Sequence, residues 1–536
     1  MQKLPLGIQT FSEIRLQNYL YVDKTEDIFK MIDAGKYFFF SRPRRFGKSL
    51  LLDTLHEIFE GNKALFKDLW IEKKIDWKSY PVVRIDFGKV VSKDGNLIEA
   101  LLNEISRNAH RLGVKISETL SPSIAFGDLL NNIGEKYGKN SIVLLIDEYD
   151  KALVDFIDDQ SIFDYNRDVL RGFYTNIKSY DACIKFTLLT GVSKIGKMSL
   201  FSGLNNINDI SLDREYANLC GISQTELEVN FKEHIDNFVR VEDKKIIEVL
   251  ELLKRWYNGY SWNGQTTLYN PYSLLNVFQK NVFQNYWFDT GTPTLLIKMV
   301  SQNQRLFDTF KNYVMGDSWS MSSFDPQSND DIGLMFQTGY LTIKEQEKNT
   351  DGVPIYKLGF PNQEVEYSFA KYLLAEYIAT APERLGNDIA YPMKDALSKA
   401  DLATFINYIR VAFSKIPHHL FIEKEAFYHS MLLMLMMASG VMMRSEEASS
   451  KGRSDLILET NENIYIFEFK LNQSAVIAIN QILEKGYANP YLMSAKQVVL
   501  VGINFKNREL NDWVVDRPNL DFITISCKSL IGTKVR

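Results

Sequence analysis

The sequence predicts an α/β protein built from several domains. Its 536 residues exceed what one hydrophobic core usually supports. Between Tyr37 and Thr190, short apolar runs of strand type alternate with helical segments, an order that predicts a parallel sheet covered by helices on both faces. Further along the chain, two apolar runs flank a polar break at Asn461-Glu462-Asn463 and predict a β-hairpin. The chain therefore carries an N-terminal parallel-sheet region and a separate C-terminal α/β region.

Four domains are expected along the chain. The strand signal fades from Asp213 and helical periodicity continues through Tyr257, which predicts a helical lid after the sheet. A helix, a strand, a polar turn, a return strand and a second helix then predict a small winged-helix-like module. The expected ranges are 1–212 for the parallel-sheet domain, 213–324 for the lid, 325–385 for the module and 386–536 for the C-terminal α/β domain.

A basic loop follows the first strand candidate. The apolar run Tyr37 to Phe40 leads into Ser41-Arg42-Pro43-Arg44-Arg45-Phe46-Gly47-Lys48-Ser49, and a helical segment begins at Leu50. This is the order of a phosphate-binding loop, in which backbone N–H groups and a helix N-terminus hold phosphates. Lys48 is expected to reach the β and γ phosphates, and Ser49 a magnesium ion. Arg42 occupies the place of the usual first glycine, so the shape of the loop departs from the common pattern.

Two later strands supply the groups that the loop lacks. The apolar run Ile142 to Ile146 ends in Asp147-Glu148. Asp147 is expected to hold magnesium, through water or through Ser49, and Glu148 to polarise the attacking water. The next strand candidate ends at Thr190, and Ser193 follows shortly after it. The hydroxyl of Thr190 or Ser193 either senses the γ-phosphate or caps the end of the strand.

Four ordered motifs resemble the AAA-ATPase-like family over residues 1 to 300. They are Tyr21 to Thr25, Arg42 to Ser49, Asp147 to Lys151 and Ser199 to Asn205. The Arg-Pro-Arg-Arg-Phe-Gly-Lys loop is that family's own pattern, so Arg42 looks like a family trait. The resemblance implies a P-loop NTPase-like sheet that binds ATP with Mg²⁺ (or Mn²⁺), and it leaves hydrolysis open. The implied nucleotide-binding residues are Arg44, Arg45, Phe46, Gly47, Lys48, Ser49, Asp147 and Thr190, while Arg44, Arg45 and Arg171 compete for the role of arginine finger.

The predicted hairpin gathers charged side chains. Alternation along a strand places Glu468 and Lys470 on one face of the run that begins at Ile464. If the hairpin loop holds an even number of residues, Asp455 lies directly opposite Glu468. Two carboxylates can hold a hard divalent cation that activates water, and a nearby ammonium can steady the developing charge. The strand is otherwise apolar on both faces and should be buried. Burying a glutamate and a lysine is costly unless they are paired, so their presence in this strand points to a specific role.

The same residues resemble the active-site core of the PD-(D/E)XK nuclease superfamily, in the branch fused behind an AAA-ATPase-like domain. The motif is Gly452-Arg453-Ser454-Asp455, then twelve residues, then Glu468-Phe469-Lys470, with Ser454 where the pattern has proline. The resemblance implies a restriction-endonuclease-like α/β domain in which Asp455, Glu468 and Lys470 are catalytic and the two acids hold the metal. Such nucleases often add a glutamate from the preceding helix, and Glu425 is the candidate. The alternative for Glu425 is a first-turn acid that complements the helix dipole.

Composition limits the partners and the compartment. The formal net charge is −5, so any contact with nucleic acid must come from local patches. No apolar run is long enough to span a membrane and the N-terminus lacks the pattern of a signal peptide, so a cytoplasmic protein is expected. The cysteines Cys183, Cys220 and Cys527 lie far apart and predict neither a disulfide framework nor a zinc site.

The leading hypothesis is an ATP-binding protein with a metal-dependent nuclease-like domain that cleaves nucleic acid, with DNA as the expected partner, under control of the nucleotide. The alternative is an ATP-dependent switch whose nuclease-like domain binds DNA or a protein partner without cutting. The presence of Asp455, Glu468 and Lys470 favours cleavage. A purely structural protein is least favoured because two independent active-site patterns occur in one chain. The oligomeric state stays open.

Overall fold

The computed structural model describes residues 1–90, 96–195, 200, 206–288, 296–297, 300, 313–317, 321, 331–421, 423–441, 443–445, 448–449, 452–491 and 493–517. The chain forms two compact units, one of residues 1–291 and 314–365 and the other of residues 292–313 and 366–536. A compact unit can hold more than one domain, so the four-domain division stays a prediction. The motif Ser199 to Asn205 lies outside the described residues except for Leu200. The run Phe522 to Ser526, which predicts a last strand of the C-terminal domain, lies wholly outside them.

The first unit contains a five-stranded sheet in the order β2-β3-β4-β1-β5. Its strands are β1 (Tyr37–Ser41), β2 (Val82–Asp86), β3 (Ile142–Asp147), β4 (Ile184–Gly191) and β5 (Asn208–Asp209). All neighbouring pairs are parallel, which confirms the predicted parallel sheet. β1 and β3 are buried at every position, as expected when helices cover both faces. The carboxyl ends of the strands share one edge, where ligands bind in open α/β sheets.

The helices of the sheet region and the lid follow local capping signals. Asp159 accepts hydrogen bonds from the N–H groups of Ser161 and Ile162, and Ser223 forms a capping box with Glu226. The helices are α1 (Phe11–Leu16), α2 (Thr25–Ala34), α3 (Lys48–Glu60), α4 (Phe87–Val90), α5 (Leu97–Leu112), α6 (Pro122–Tyr137), α7 (Lys151–Val154), α8 (Gln160–Ser179), α9 (Gln224–Asn230), α10 (Lys232–Glu242), α11 (Ile246–Tyr257) and α12 (Pro271–Lys280).

The lid packs around its own apolar core. Side chains from α9 to α12 converge there, among them Leu227, Phe238, Leu253 and Val277. Tyr257 and Tyr269 are fully buried in the same cluster, so these aromatic residues serve core packing. Apolar burial therefore holds the helices of the lid together.

The predicted winged-helix-like order is present. Helix α13 (Asp331–Thr338) leads into β7 (Thr342–Lys348) and β8 (Pro354–Gly359), which pair antiparallel, and β6 (Val314–Asp317) completes a three-stranded sheet. Helix α14 (Gln363–Tyr377) follows, and its first residues belong to the first unit. Glu364 there is buried and accepts hydrogen bonds from Ser273 Oγ at 2.7 Å and Trp287 N at 2.6 Å. The start of α14 is thus tied to the lid.

The module also contacts the phosphate-binding loop. Gly339 follows α13 with φ +91, and a Cβ atom built on it would lie 2.5 Å from Pro43 Cγ. The side-chain oxygen of Gln337 accepts a hydrogen bond from Lys194 N at 2.6 Å, just past the end of β4. Pro43 therefore packs against the backbone of the module with no room for a side chain between them.

The second unit is built on a mixed sheet in the order β15-β14-β13-β12-β9. β13 and β14 are parallel and the other pairs antiparallel. The strands are β9 (Met443–Ser445), β10 (Ala448–Ser449), β11 (Gly452–Arg453), β12 (Leu456–Glu459), β13 (Asn463–Leu471), β14 (Gln497–Lys506) and β15 (Glu509–Asp516), of which β10 and β11 form a separate pair. The helices are α15 (Pro382–Leu385), α16 (Tyr391–Ser398), α17 (Leu402–Ser414), α18 (Glu425–Ser439) and α19 (Ala475–Lys485).

Helix α18 and strand β13 form the centre of this unit. The methionines of α18 at positions 431, 434, 436 and 437 are buried and fill the core. The helix ends at Gly440, whose φ of 64 is the left-handed conformation common at helix C-termini. β13 is buried at every position except Leu471, so the expectation of a buried strand is confirmed. The sequence analysis missed β15, in which Leu510 is the only fully buried residue.

The contact between Gly339 and Pro43 predicts a stability effect. Gly339→Ala should lower the free energy of unfolding by roughly 2 kcal/mol or more, because the new Cβ meets Pro43 and the positive φ is strained for alanine. Gly352→Ala is the matched control, since Gly352 has φ +81 with nothing within 4 Å of its Cβ position. That control should cost about 1 kcal/mol. Thermal melting compares the two, and equal losses would contradict the contact.

Candidate nucleotide and metal sites

The phosphate-binding loop holds its lysine in place. Gly47 has φ 101 and precedes α3, whose first residues are Lys48 and Ser49. Lys48 Nζ donates hydrogen bonds to the backbone oxygens of Arg42 at 2.8 Å and Pro43 at 3.0 Å. Burial lowers the pKa of the Lys48 ammonium, and the charge of Asp147 opposes that shift. The ammonium is thus buried at a helix N-terminus, beside loop carbonyls that a phosphate can replace.

Asp147 is hydrogen-bonded to two of the other predicted residues. Its Oδ2 accepts a hydrogen bond from Ser49 Oγ at 2.7 Å, and its Oδ1 accepts one from Thr190 Oγ1 at 2.7 Å. The sheet order explains this meeting, because β4 lies between β1 and β3 and brings Thr190 beside Asp147. Ser49, Asp147 and Thr190 therefore form one cluster at the edge of the sheet.

Glu148 adopts a backbone conformation that is rare for glutamate, with φ 52. Burial, and next the charge of Asp147, raise the pKa of its carboxyl group. Gly88 lies so close that a Cβ atom there would be 2.7 Å from Glu148 Oε2. Asp86 at the end of β2 is paired in register with Asp147, and the sequence analysis missed it although it too ends an apolar strand. A strained, partly buried acid beside the Asp147 cluster suits a general base.

The three arginines of the loop have different environments. Arg42 is fully buried, with its guanidinium stacked 4.3 Å from the Phe40 ring and 4.0 Å from the Trp262 ring. Burial lowers its pKa to about 9, and it donates hydrogen bonds to the backbone oxygens of Ser41 and Ser211. Arg42 therefore shapes the loop from inside.

Arg44 and Arg45 are exposed. Arg45 has φ 63 and lies 4.0 Å from the Tyr272 ring at the start of α12, whereas the Arg44 backbone oxygen accepts a hydrogen bond from Trp287 Nε1 at 2.9 Å. Arg171 is exposed on α8 and pairs with Asp168 at 3.4 Å. All three arginines stay open as candidates for an arginine finger.

An apolar cavity of 110 Å³ borders the loop. Gly47 and Phe46 form one side, Leu20 and Val22 of the N-terminal segment a second, and Ile222 with Pro271 of the lid a third. The buried Cys220 also lines it. The cavity thus joins the phosphate-binding loop to the lid.

The C-terminal hairpin has the predicted register. Leu456 pairs with Phe467 and Glu459 with Ile464, which places Asp455 opposite Glu468. Glu468 Oε1 accepts hydrogen bonds from Lys470 Nζ at 2.8 Å and from Gln481 Nε2. Asp455 Oδ2 accepts one from Phe469 N at 2.8 Å. The structure therefore brings together the three charged residues that the sequence singled out.

The electrostatics of this site fit a divalent cation. Burial, and next the charge of Asp455, raise the pKa of Glu468 to about 7. Glu468 Oε2 is buried and has no hydrogen-bond partner among the described residues. An orphaned carboxylate oxygen beside a second carboxylate is what an oxygen-preferring metal ion would complete.

The third predicted ligand, Glu425, lies at the surface of the domain. Glu425 is the exposed first residue of α18, and its charge also contributes to raising the pKa of Glu468. Across the described part of the chain, no group of three or more His, Cys, Asp or Glu side chains is arranged to hold a metal ion. The two acids Asp455 and Glu468 are thus the core of the site, and a ligand role for Glu425 stays a prediction.

Three further side chains of this site escaped the sequence analysis. Gln481 on α19 donates to Glu468. Burial raises the pKa of Tyr487, and Gln481 opposes that shift. His429 on α18 is buried with its Nε2 2.8 Å from the Asp455 backbone oxygen. His429 lies four residues after Glu425, so helical spacing was a usable signal for it.

Comparisons with known proteins identify the families of the two domains that carry these residues. Residues 5–201 match a family described as Predicted AAA-ATPase, and residues 423–513 match the PD-(D/E)XK nuclease superfamily. The "Uncharacterized protein in vnfD 5'region" of Azotobacter chroococcum mcd 1 is 37% identical over 530 residues, which cover 96% of this chain and 99% of that protein. The chain belongs to this AAA-ATPase-like family with a C-terminal PD-(D/E)XK domain. No solved structure matches.

The two matched ranges of this chain contain the nucleotide-site cluster around Asp147 and the hairpin cluster around Glu468. The first includes the phosphate-binding loop and Asp147, and the second runs from the segment before α18 to β15. The lid and the module lie between these ranges, and the full-length relative extends the likeness across them. Among the helices that the structure describes, none has the length and apolar character needed to cross a membrane.

The raised pKa of Glu468 predicts a pH dependence of stability in metal-free buffer. Its pKa is about 7 in the folded protein against an ordinary 4.5, so the folded state holds the proton more tightly. The free energy of unfolding should therefore fall as pH rises from about 4.5 to about 7, by at most about 1.4 kcal/mol per pH unit. Glu468→Gln imitates the protonated acid and should remove that fall.

Melting of the wild type and the variant in chelator at several pH values measures the difference. Glu484→Gln is the control, since Glu484 is an exposed glutamate on α19. An identical pH dependence in the wild type and in Glu468→Gln would contradict the assignment.

Proposed function

We propose that this AAA-ATPase-like protein binds ATP with Mg²⁺ or Mn²⁺ at Lys48, Ser49 and Asp147, and that the nucleotide controls cleavage of nucleic acid at Asp455, Glu468 and Lys470. The proposal includes DNA as the substrate and a cytoplasmic location. The observation that carries it is the convergence of Asp455 with Glu468 and Lys470 of the buried strand β13, with one oxygen of the Glu468 carboxylate left without a hydrogen-bond partner among the described residues.

The nucleotide part rests on the loop and the cavity. Lys48 would exchange the backbone oxygens of Arg42 and Pro43 for phosphate oxygens, and the N–H groups at the start of α3 would hold the same phosphates. The apolar cavity beside Gly47 suits the faces of a nucleobase. The base would then lie between the N-terminal segment and the lid. Ser49 and Asp147 would hold the divalent cation, which when bound neutralises charge on the phosphates.

Glu148 is the proposed general base for ATP hydrolysis. Its raised pKa makes it a better proton acceptor than an exposed glutamate. The carboxylate of Asp147 accepts hydrogen bonds from Ser49 and Thr190, which would orient it for the cation. Two neighbouring acids thus take different roles because their partners differ.

The nuclease part rests on the hairpin. Asp455 and Glu468 would hold a divalent cation, which when bound lowers the pKa of a water molecule and polarises the phosphate. Lys470 lies within 2.8 Å of Glu468 and would stabilise the negative charge that develops on the phosphate. Gln481 fixes Glu468 from the side of α19.

Nucleic acid would be bound through local positive charge, because the chain as a whole is acidic. The exposed Lys424 directly precedes Glu425, and the Arg508 side chain lies 3.5 Å from Glu423. Both basic residues are close to the start of α18. They are candidates for phosphate contacts beside the site.

The loop lysine should be decisive for nucleotide affinity. Lys48→Ala removes a charge-assisted contact, so ATP binding should weaken about tenfold or more. Glu148→Gln is the matched variant, since it spares the phosphate contacts and should keep binding while losing turnover. Isothermal calorimetry measures affinity and phosphate release measures turnover. Equal ATP affinity in the wild type and in Lys48→Ala would remove the proposed site.

The hairpin acids should be decisive for metal binding and cleavage. Asp455→Asn keeps an oxygen that can accept from Phe469 N but loses the charge, so it should abolish Mn²⁺-dependent thermal stabilisation and cleavage. Without metal its stability should equal or slightly exceed that of the wild type, because repulsion with Glu468 is relieved. Lys470→Ala should keep metal stabilisation yet lower turnover by about 10² or more.

Melting with and without Mn²⁺, together with cleavage of labelled duplex and single strands, checks these outcomes. Undiminished metal stabilisation in Asp455→Asn would refute the metal site. Metal binding by the wild type without cleavage of any strand would favour the switch that binds without cutting.

A further inference from the structure

His429 is a buried polar side chain to which the proposed chemistry assigns no role. It lies on α18, 2% exposed, with its ring centroid 5.9 Å from that of Phe469. Its Nε2 is 2.8 Å from the backbone oxygen of Asp455. A carbonyl oxygen only accepts hydrogen bonds, so His429 must carry a proton on Nε2 and donate it there.

The hydrogen bond from His429 fixes the main chain of Asp455, whose carboxylate already accepts a hydrogen bond of its own. Asp455 lies one residue before β12, and its Oδ2 accepts from Phe469 N across the hairpin. His429 holds the backbone carbonyl of the same residue. Asp455 is thus held through its main chain by a helix and through its carboxylate by a strand, which limits the directions in which the carboxylate can point.

The position of His429 on α18 links the acids of the site. Glu425 lies one helical turn earlier, so both residues point to the same side of α18. Glu425 is near enough that its charge acts on Glu468. One side of α18 therefore addresses both hairpin acids, one through charge and the other through a hydrogen bond.

From these contacts we infer that His429 is a positioning residue, which fixes the Asp455 carboxylate for the metal ion by donating a hydrogen bond from Nε2 to the Asp455 backbone oxygen. This inference rests on the proposed metal-dependent function. It assigns His429 no contact with the metal ion or the substrate. Its effect is on how tightly the site holds the ion, since partners that orient a ligand typically change metal affinity by about 10- to 100-fold.

The test compares three substitutions of His429 in the full-length protein. His429→Gln places an amide N–H near the position of Nε2 and keeps the donor. His429→Leu keeps an apolar side chain of similar size without a donor, and His429→Asn keeps an amide that is too short to reach. Ser430→Ala is the control, because it removes another polar group of α18, whose Oγ donates to the Ala426 backbone oxygen at 2.9 Å.

The measurements are the Mn²⁺ concentration that gives half of the maximal rise in melting temperature, and the cleavage rate at saturating Mn²⁺. His429→Leu and His429→Asn should need about tenfold more Mn²⁺ or above, while His429→Gln should stay within about threefold of the wild type. Ser430→Ala should match the wild type in Mn²⁺ dependence even if it melts earlier. Should His429→Leu not fold, His429→Asn carries the comparison.

Two outcomes would overturn the inference. Wild-type Mn²⁺ dependence in both the leucine and asparagine variants would show that the hydrogen bond is only structural. Equal losses in the glutamine, leucine and asparagine variants would show instead that the imidazole binds the ion directly. A wild-type protein that Mn²⁺ does not stabilise would defeat the proposed metal-dependent function itself, and this result is seen before any variant is made.

Discussion

The cost of burying a carboxylate is the constraint on which both sites depend. A buried acid must be paired, hydrogen-bonded or protonated, since an isolated charge is too costly away from water. Asp147 meets this requirement with two hydroxyl donors, one from the phosphate-binding loop and one from the neighbouring strand. Glu468 meets it only in part, because its second oxygen has no partner and its pKa is raised. Both oxygens of Asp147 thus already accept hydrogen bonds, whereas a cation would supply the missing partner of Glu468.

The parts of the fold that depend on local pattern were predictable. Apolar runs with a polar last residue located β3 and Asp147, and strand alternation with an even hairpin loop placed Asp455 opposite Glu468. The contacts that bring distant segments together were not predictable in this way. Gln481 reaches Glu468 from a helix thirteen residues later, and nothing in its neighbourhood of the sequence marks it. β15 was missed because only one of its residues is fully buried, so the pattern that signals a strand is weak there.

The departure of the loop from the common phosphate-binding pattern also has a physical explanation that the sequence alone hides. Arg42 does not face a ligand but fills an aromatic slot between Phe40 and Trp262, and its backbone oxygen holds the Lys48 ammonium. A glycine at this place could not supply the stacked side chain. Trp262 of the lid therefore stabilises the loop by stacking on Arg42. The backbone oxygens of the loop in turn fix Lys48 by accepting its hydrogen bonds.

The close approach of Gly339 to Pro43 bears on how such proteins can be recombined. The ring of Pro43 fits against Gly339 because glycine has no side chain. The two residues lie almost three hundred residues apart in the sequence. A chimaera that takes the phosphate-binding loop from one relative and the module from another keeps this fit only if both parents have a glycine and a ring at these places. Crossover points for building such hybrids are thus better chosen so that the loop and α13 come from the same parent.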